Sequence, residues 1–420
     1  MINPRKANDA KDADQIIIIG GGPAGLMAAE RLSAAGCAVT LYEQMPTVGR
    51  KFLMAGRGGL NLTHSEPLDD FLRHYGPARP FIEPMIRAFT PDDLRAWADD
   101  LGAETFIGSS GRVFPKAMKA SPLLRAWLVR LSQQGVAIKT RHRCLGWDET
   151  GALLIEDLTA STPAAIHAHR PRATLLAMGG ASWPRLGSDG AWATWIEKQQ
   201  ITLSPLGPAN CGFERDWSPF FRDKFAGHPL KPCLFSIGDH SIKGEAMITV
   251  QGLEGGAIYG LGPALRQMIA EKGTALLKLD LCPDLELEDL YQKIRRTRRS
   301  NSLSNRLRKA ASLSPQALSL LRESPAWSDT FKNDPHALAT FLKNLTLPLD
   351  RPRPIDKAIS TYGGVQFMNF NENGFISAAP QGVICAGEML DWEAPTGGYL
   401  LQACFSSAQW AANKILINIE

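Results

Sequence analysis

The chain has 420 residues, enough for two or three domains with well-buried cores. Its 44% apolar and 21% charged composition is that of a globular protein, and its apolar runs are far too short for a membrane span. A formal net charge of +4 is too small to imply a polyanionic partner, so neither a membrane nor nucleic acid is expected. The first fourteen residues are polar and mixed in charge, which reads as a flexible tail without a secretory signal. The seven cysteines are scattered without a C-x-x-C, and the histidines have no ligand-like spacing. Free thiols, a cytoplasmic location and no metal are expected.

The first informative stretch is QIIIIGGGPAGLMAAERLSAAGCAVTLYEQM, residues 15–45. Ile16 to Ile19 reads as a strand buried on both faces, Leu26 to Ala35 as a helix, and Ala38 to Tyr42 as a second strand. Between the first two lie Gly20, Gly22 and Gly25 in G-x-G-x-x-G. Gly20 permits a tight turn, Gly22 lets the backbone approach a pyrophosphate, and Gly25 lets the helix sit close on the strand. The helix N-terminus offers free N–H groups to phosphates. Glu43, 18 positions after Gly25, falls where a carboxylate accepts from ribose hydroxyls. Strand, glycines, helix, strand and acid in register point to dinucleotide binding.

Residues 48–66, VGRKFLMAGRGGLNLTHSE, form a loop with glycines at 49, 56, 58 and 59 and donors from Arg50, Lys51, Arg57, Asn61 and His64. Such a loop suits close backbone contact with a ligand. His64 alone reads as a loop-stabilising residue. Residues 67–135 are mainly helical, clearest at Asp92 to Leu101 and Ser121 to Gln134, with the turn-rich GSSGRVFPKAMKASP between them. A strand at Val136 to Thr140 and a small meander near 144–156 lead to another strand, Ala173 to Met178, running into GGASWPRLGSDG.

From about Ile201 to 283 prolines and glycines separate short strand-like runs, the texture of a β-rich insert. GLEGGAIYGLGPAL, with Gly260 and Gly262, lacks a third glycine and follows no long strand, so it is rejected as a second dinucleotide site. Residues 284–349 read as a helical insert; its basic run, Lys293 to Lys309, lacks interleaved aromatics and reads as a solvated helical face. From 350 the glycine-rich character returns. Gly387 and Glu388 end a strand, Thr396 to Gly398 make a turn, and Tyr399 to Ile415 has helical periodicity. Three glycine junctions, at 20–25, 177–180 and 387–398, exceed what NAD needs and suit the longer FAD.

Together GGGPAG, GRKFLMAGRGGLN, GRVFPKAMKAS, LLAMGGASWPRLGSDG, KGEAMITVQGLEGGAIY, STYGGVQF and CAGEMLDWEAPTGGYLLQACFSSA resemble the NAD(P)/FAD-dependent oxidoreductases related to the BaiN and YhiN flavoproteins. The resemblance runs from about residue 15 to the C-terminus. Many members end their glycine-rich loop in Arg-Cys-Asn where this chain has Gly59, Leu60 and Asn61, which leaves no thiol for chemistry there. The resemblance implies an α/β fold: a glutathione-reductase-type Rossmann FAD domain built from 15–200 and 350–420, with a β-barrel-like insert and a small helical insert. It also implies that the FAD pyrophosphate meets Gly20, Gly22 and Ala24, and that Glu43 takes the adenosine ribose. Lys51 and the Arg57 to Asn61 loop, Gly58 included, would line the flavin side. Gly179, Gly387, Glu388, Gly397, Gly398, Tyr399 and Leu400 would complete the pocket. The expected function is an FAD-dependent oxidoreductase acting on a small molecule, either an oxidase or an NAD(P)H-linked reductase with transient nicotinamide binding. The alternative is a non-catalytic FAD protein touching RNA through the basic run.

Overall fold

The computed structural model describes residues 14–56, 58–159, 165–298 and 300–419. The first thirteen of the fourteen residues of the expected tail, and Arg57, therefore lie outside the described residues. Pro208–Ile359 forms one compact unit, and the described residues on either side of it form the other.

The unit that carries the glycine junctions is built on a five-stranded sheet. Its strands are β1 (Gln15–Ile19), β2 (Ala38–Glu43), β3 (Ala137–Thr140), β4 (Ala173–Leu176) and β5 (Val383–Cys385), in spatial order β5-β4-β1-β2-β3. Every pairing is parallel. The apolar run of β1 is explained by its central place: Ile16 and Ile18 enter one core, Ile17 and Ile19 the other, and all four are at most 4% exposed. Helix α1 (Pro23–Ala34) and the C-terminal helix α2 (Tyr399–Ile419) pack in the first core through Leu26, Leu32, Phe405 and Ile415. Parallel strands in register bring Gly20, Gly179 and Gly387 to one edge, the C-terminal edge where open α/β sheets bind ligands.

The stretch expected to be mainly helical holds four α-helices, Leu68–Arg73, Arg79–Ala88, Pro91–Asp100 and Ala120–Gln133. It also holds strands Thr105–Ile107 and Arg112–Pro115, which join Thr63–His64 in a small antiparallel sheet. The meander is three-stranded, over His142–Trp147, Leu153–Asp157 and Ala165–His169.

The second unit contains a seven-stranded antiparallel sheet. Its outermost strands, Leu345–Leu349 and Arg351–Pro352, are separated in the chain by Asp350 alone, so the sheet rolls until its edges approach. That is a barrel-like curl. The expected helical stretch ends at helix Pro335–Lys343, because the alternation in LTLPL buries every second residue and makes 345–349 a strand. Its helices share one hydrophobic core with the sheet. The basic run is not one solvated helical face. It spans the end of helix Leu287–Arg295 and helix Leu303–Ala311, and Arg306 is buried, donating to Thr297 Oγ1 at 3.1 Å and the Lys332 carbonyl at 2.8 Å.

Candidate cofactor site

Each glycine of the first junction meets a different constraint. Gly20 has φ +104°, and a Cβ there would stand 2.3 Å from the Ala177 carbonyl oxygen. A Cβ on Gly25 would stand 1.9 Å from the Gly20 carbonyl oxygen, so only glycine lets α1 lie on its own strand. Gly22 is different: its backbone is extended (φ −82°, ψ −176°), and an added Cβ would meet nothing within 4 Å. It is the N-cap of α1, with no side-chain cap and with Pro23 in the first turn. The first-turn amides, those of Ala24 and Gly25 included, have no intrahelical partner and face an open cradle.

Glu43 closes this junction from the end of β2. Its Oε2 accepts from the Gly21 amide at 2.7 Å and its Oε1 from the Met45 amide at 2.8 Å. Burial raises its pKa above the usual carboxylate range, against the two amides that favour the ionised form. A carboxylate has about four acceptor positions, so two remain after these bonds.

The second and third junctions are tied together by Glu388. Its Oε2 takes Lys51 Nζ at 2.6 Å and the Gly180 amide at 3.3 Å, while Oε1 takes the Thr361 amide at 3.1 Å. Lys51 Nζ also donates to Ser182 Oγ at 2.7 Å, and Thr361 Oγ1 accepts from the amides of Ala181 and Ser182 at 2.9 and 3.2 Å. Lys51 and Glu388 are thus each other's partners, and their network shapes the loop after β4. Gly179 and Gly387 both have left-handed backbones, φ +69° and +80°. A Cβ on Gly387 would stand 2.8 Å from Ala24 Cβ, so the first and third junctions touch.

The donor-rich loop meets the start of α2. Gly397 and Gly398 have φ of +141° and +102°, and a Cβ on Gly398 would stand 2.5 Å from the Thr63 backbone. Tyr399 follows, its ring 4.1 Å from that of His74, 4.8 Å from Phe71 and 5.7 Å from His64 between centroids. Its Oη donates to Glu66 Oε1 at 2.7 Å, and its carbonyl accepts from Tyr75 Oη at 2.8 Å. Leu400 is partly buried against the core that holds Ile17 and Ile19. Gly58 is exposed, with open space where a Cβ would stand.

Three buried oxygens of the Asn61–Thr63 stretch and the loop after β4 have no partner: Asn61 Oδ1, Thr63 Oγ1 and Ser188 Oγ. A buried polar atom left unpaired costs roughly 1–3 kcal/mol. The Ser188 hydroxyl would lie 3.4 Å from a Cβ on Gly179, and Thr63 backs Gly398, so all three orphans belong to the glycine-lined surface or the loop facing it. Unfilled acceptors, capless amides and a cradle without Cβ atoms fit an extended group rich in phosphates and hydroxyls. Sequence reasoning missed Ser188, Thr361, Glu66 and His74. The first three stand in the quoted GSDG, STYGG and LNLTHSE stretches, whereas His74 carries no local signal and matters only because Tyr399 arrives from residue 399.

The HI0933-like protein Rossmann domain family model matches residues 14–414. The chain belongs to the HI0933-like family. Its relatives include a 3-dehydro-bile acid delta(4,6)-reductase of Clostridium scindens, 24% identical over 95% of this chain and 98% of that one. A ribosomal RNA dihydrouridine synthase of Escherichia coli is 26% identical over 96% of this chain and 97% of that one. Among solved structures, the open conformation of a flavocytochrome c3 fumarate reductase aligns with a TM-score of 0.48 at 13% identity, covering 97% of this chain and 78% of that one. As a member of this family the protein is an FAD-dependent flavoprotein oxidoreductase with a Rossmann-type fold. Among the described residues no helix is long and apolar enough to cross a membrane, and no group of three or more His, Cys, Asp or Glu could hold a metal.

Proposed function

We propose that the protein is a reductase that saturates a carbon–carbon double bond conjugated to a carbonyl group, with FAD held along the three glycine junctions. The observation that carries the cofactor placement is the open cradle at Gly22, in front of capless amides that no side chain fills among the described residues. Gly22, Ala24 and Gly25 would take the pyrophosphate, and the free acceptor positions of Glu43 the adenosine ribose. Gly387, seated on Ala24, continues the surface toward Gly179 and Gly398. Asn61, Thr63 and Ser188 have the spare polar atoms to meet ribityl hydroxyls and ring edges. Lys51 and Glu388 act by holding the Gly180 loop in shape.

Bound FAD, once reduced, supplies a hydride equivalent. The substrate class is supported by the two relatives' names, which describe one transformation: both a 4,6-diene beside a 3-oxo group and the uracil ring carry a double bond conjugated to a carbonyl. The chain's residues then orient the acceptor and provide the accompanying proton. No second dinucleotide fingerprint is present, which supports NADH or NADPH as a transient donor that leaves before the acceptor enters. The test is anaerobic mixing of the reduced holoenzyme with a conjugated steroid enone, uridine-containing ribosomal RNA, a saturated ketone and an amine. Reoxidation by an enone or by the RNA, with a two-hydrogen mass gain in the product, is expected. Reduction of the oxidised enzyme by the amine, with none of the unsaturated compounds consumed, would contradict the proposal.

A further inference from the structure

The junction at Gly398 leads into a cluster of proton-bearing side chains around Tyr399. Tyr399 is the first residue of α2 and only 5% exposed, yet its hydroxyl reaches a carboxylate, donating to Glu66 Oε1 at 2.7 Å. The same oxygen lies 3.2 Å from His74 Nε2, so one atom faces both the phenol and the imidazole. His64 is committed elsewhere. Its Nδ1 accepts from the Glu66 amide at 3.2 Å and its Nε2 donates to the Ser110 carbonyl at 2.9 Å, which engages both ring nitrogens. The His74 side chain is 36% exposed, which gives the cluster an opening to water. Phe71 and the rings of His64 and His74 enclose the phenol, and the Tyr75 hydroxyl fixes its backbone.

This arrangement needs an explanation beyond packing. A tyrosine hydroxyl bonded to a carboxylate that is itself reached by a solvent-open histidine is a line along which a proton can move. The line begins one residue after the glycine pair, against the loop whose Asn61 and Thr63 oxygens have no partner. We propose that Tyr399 is the proton donor to the substrate and that Glu66 and His74 are positioning residues that reload it from solvent; this rests on the reading of the substrate as a conjugated alkene. One alkene carbon gains hydride from the reduced cofactor. At the other, the Tyr399 O–H bond breaks as a C–H bond forms. The phenolate recovers a proton through Glu66 Oε1 from His74 Nε2, and His74 takes one from water. The sum is alkene, reduced FAD and one proton going to saturated product and oxidised FAD. Burial, and next the bond to Glu66, hold the Tyr399 pKa above its ordinary value, so the phenol keeps its proton until a strongly basic carbon is presented. The ionisable groups facing this line are Glu66, His64, His74, Tyr75 and Arg112, the last opposing that rise.

The test uses FAD-loaded wild type, Tyr399→Phe and Glu66→Gln. Reduced enzyme is reoxidised anaerobically by a conjugated enone, which needs a proton, and by ferricyanide, which takes electrons alone. General acid catalysis contributes about 10²–10⁴-fold. Tyr399→Phe is therefore expected to slow the enone about a hundredfold or more while keeping FAD and leaving ferricyanide within about twofold. An unchanged enone rate would overturn the assignment, as would equal slowing with both oxidants. Loss of FAD would make the phenol a structural group and overturn it too. A second readout, independent of turnover, is the Tyr399 hydroxyl proton followed by NMR on the holoenzyme. The bond to Glu66 Oε1 should hold it downfield and slow to exchange, Tyr399→Phe should lack the signal, and Glu66→Gln should move it upfield. An unmoved signal in Glu66→Gln would refute the relay. If wild type reduces no alkene, the reading of the substrate fails, and the hydroxyl proton still judges the relay.

Discussion

Alanine placed in turn at Gly20, Gly22 and Gly25 separates folding from cofactor binding. At Gly20 the left-handed backbone alone costs a residue with a Cβ about 1–2 kcal/mol. The 2.3 Å approach to the Ala177 carbonyl adds an overpacking term of about 1–3 kcal/mol. At Gly25 the 1.9 Å approach to the Gly20 carbonyl pushes α1 off its strand, at the upper end of that range, about 3 kcal/mol. Gly22→Ala meets no atom within 4 Å and has a backbone open to any residue. Losing a glycine N-cap costs on the order of 0.5–1 kcal/mol. Reduced freedom of the unfolded chain returns about 0.4–1 kcal/mol, so the apoprotein should keep its stability to within about 1 kcal/mol. The methyl would nevertheless occupy the cradle and displace a phosphate from at least one amide. A charge-assisted bond is worth about 1.5–3 kcal/mol, so FAD should bind roughly ten- to hundredfold more weakly. Denaturant unfolding of the three apoproteins and FAD titration by flavin fluorescence quenching measure both quantities. A Gly22→Ala protein that binds FAD like wild type, or a Gly20→Ala protein of unchanged stability, would refute the reasoning.

Glu43→Gln should weaken FAD binding about tenfold by the loss of a charged acceptor, read by the same titration. Because the folded-state pKa of Glu43 is raised, native apoprotein holds more protons than unfolded chain above about pH 4.5, and stability falls as pH rises through that window. Wild type should therefore lose stability relative to Glu43→Gln on going from pH 4.5 to neutrality, and a difference independent of pH would contradict this. Lys51→Met leaves the Glu388 carboxylate, 12% exposed, without its cation, so denaturant unfolding should show a loss of about 1.5–3 kcal/mol. Burial pushes the Cys404 thiol up to about 12, so it is not a thiolate at neutral pH, and Cys404→Ser should turn over as wild type does in steady-state assays.

The fold was most legible where one residue type does one local job. The buried run Ile16 to Ile19 could only be a central parallel strand, and Gly20 and Gly25 occupy spaces that no other residue fits. Strands 105–107 and 112–115 escaped notice because they are short and their apolar residues do not alternate over enough positions to show a period. Arg306 looked like part of a solvated basic face, yet tertiary packing buries it against Thr297 and the Lys332 carbonyl. Lys51 and Glu388 illustrate a different limit. Their motifs marked them as site residues, but 337 positions separate them, and only folding shows that each is the other's partner. The same holds for Tyr399 with Glu66 and His74, where the local signal is a glycine pair and the chemistry comes from a distant loop.

The central claim, that one FAD lies along the three glycine junctions, is tested most directly by the flavin that the purified protein releases on heating. The account predicts a yellow protein that releases FAD and no FMN, close to one per chain after reconstitution, and far less from Gly22→Ala at the same FAD concentration. A folded protein that stays colourless after incubation with excess FAD, or that releases FMN, would contradict it.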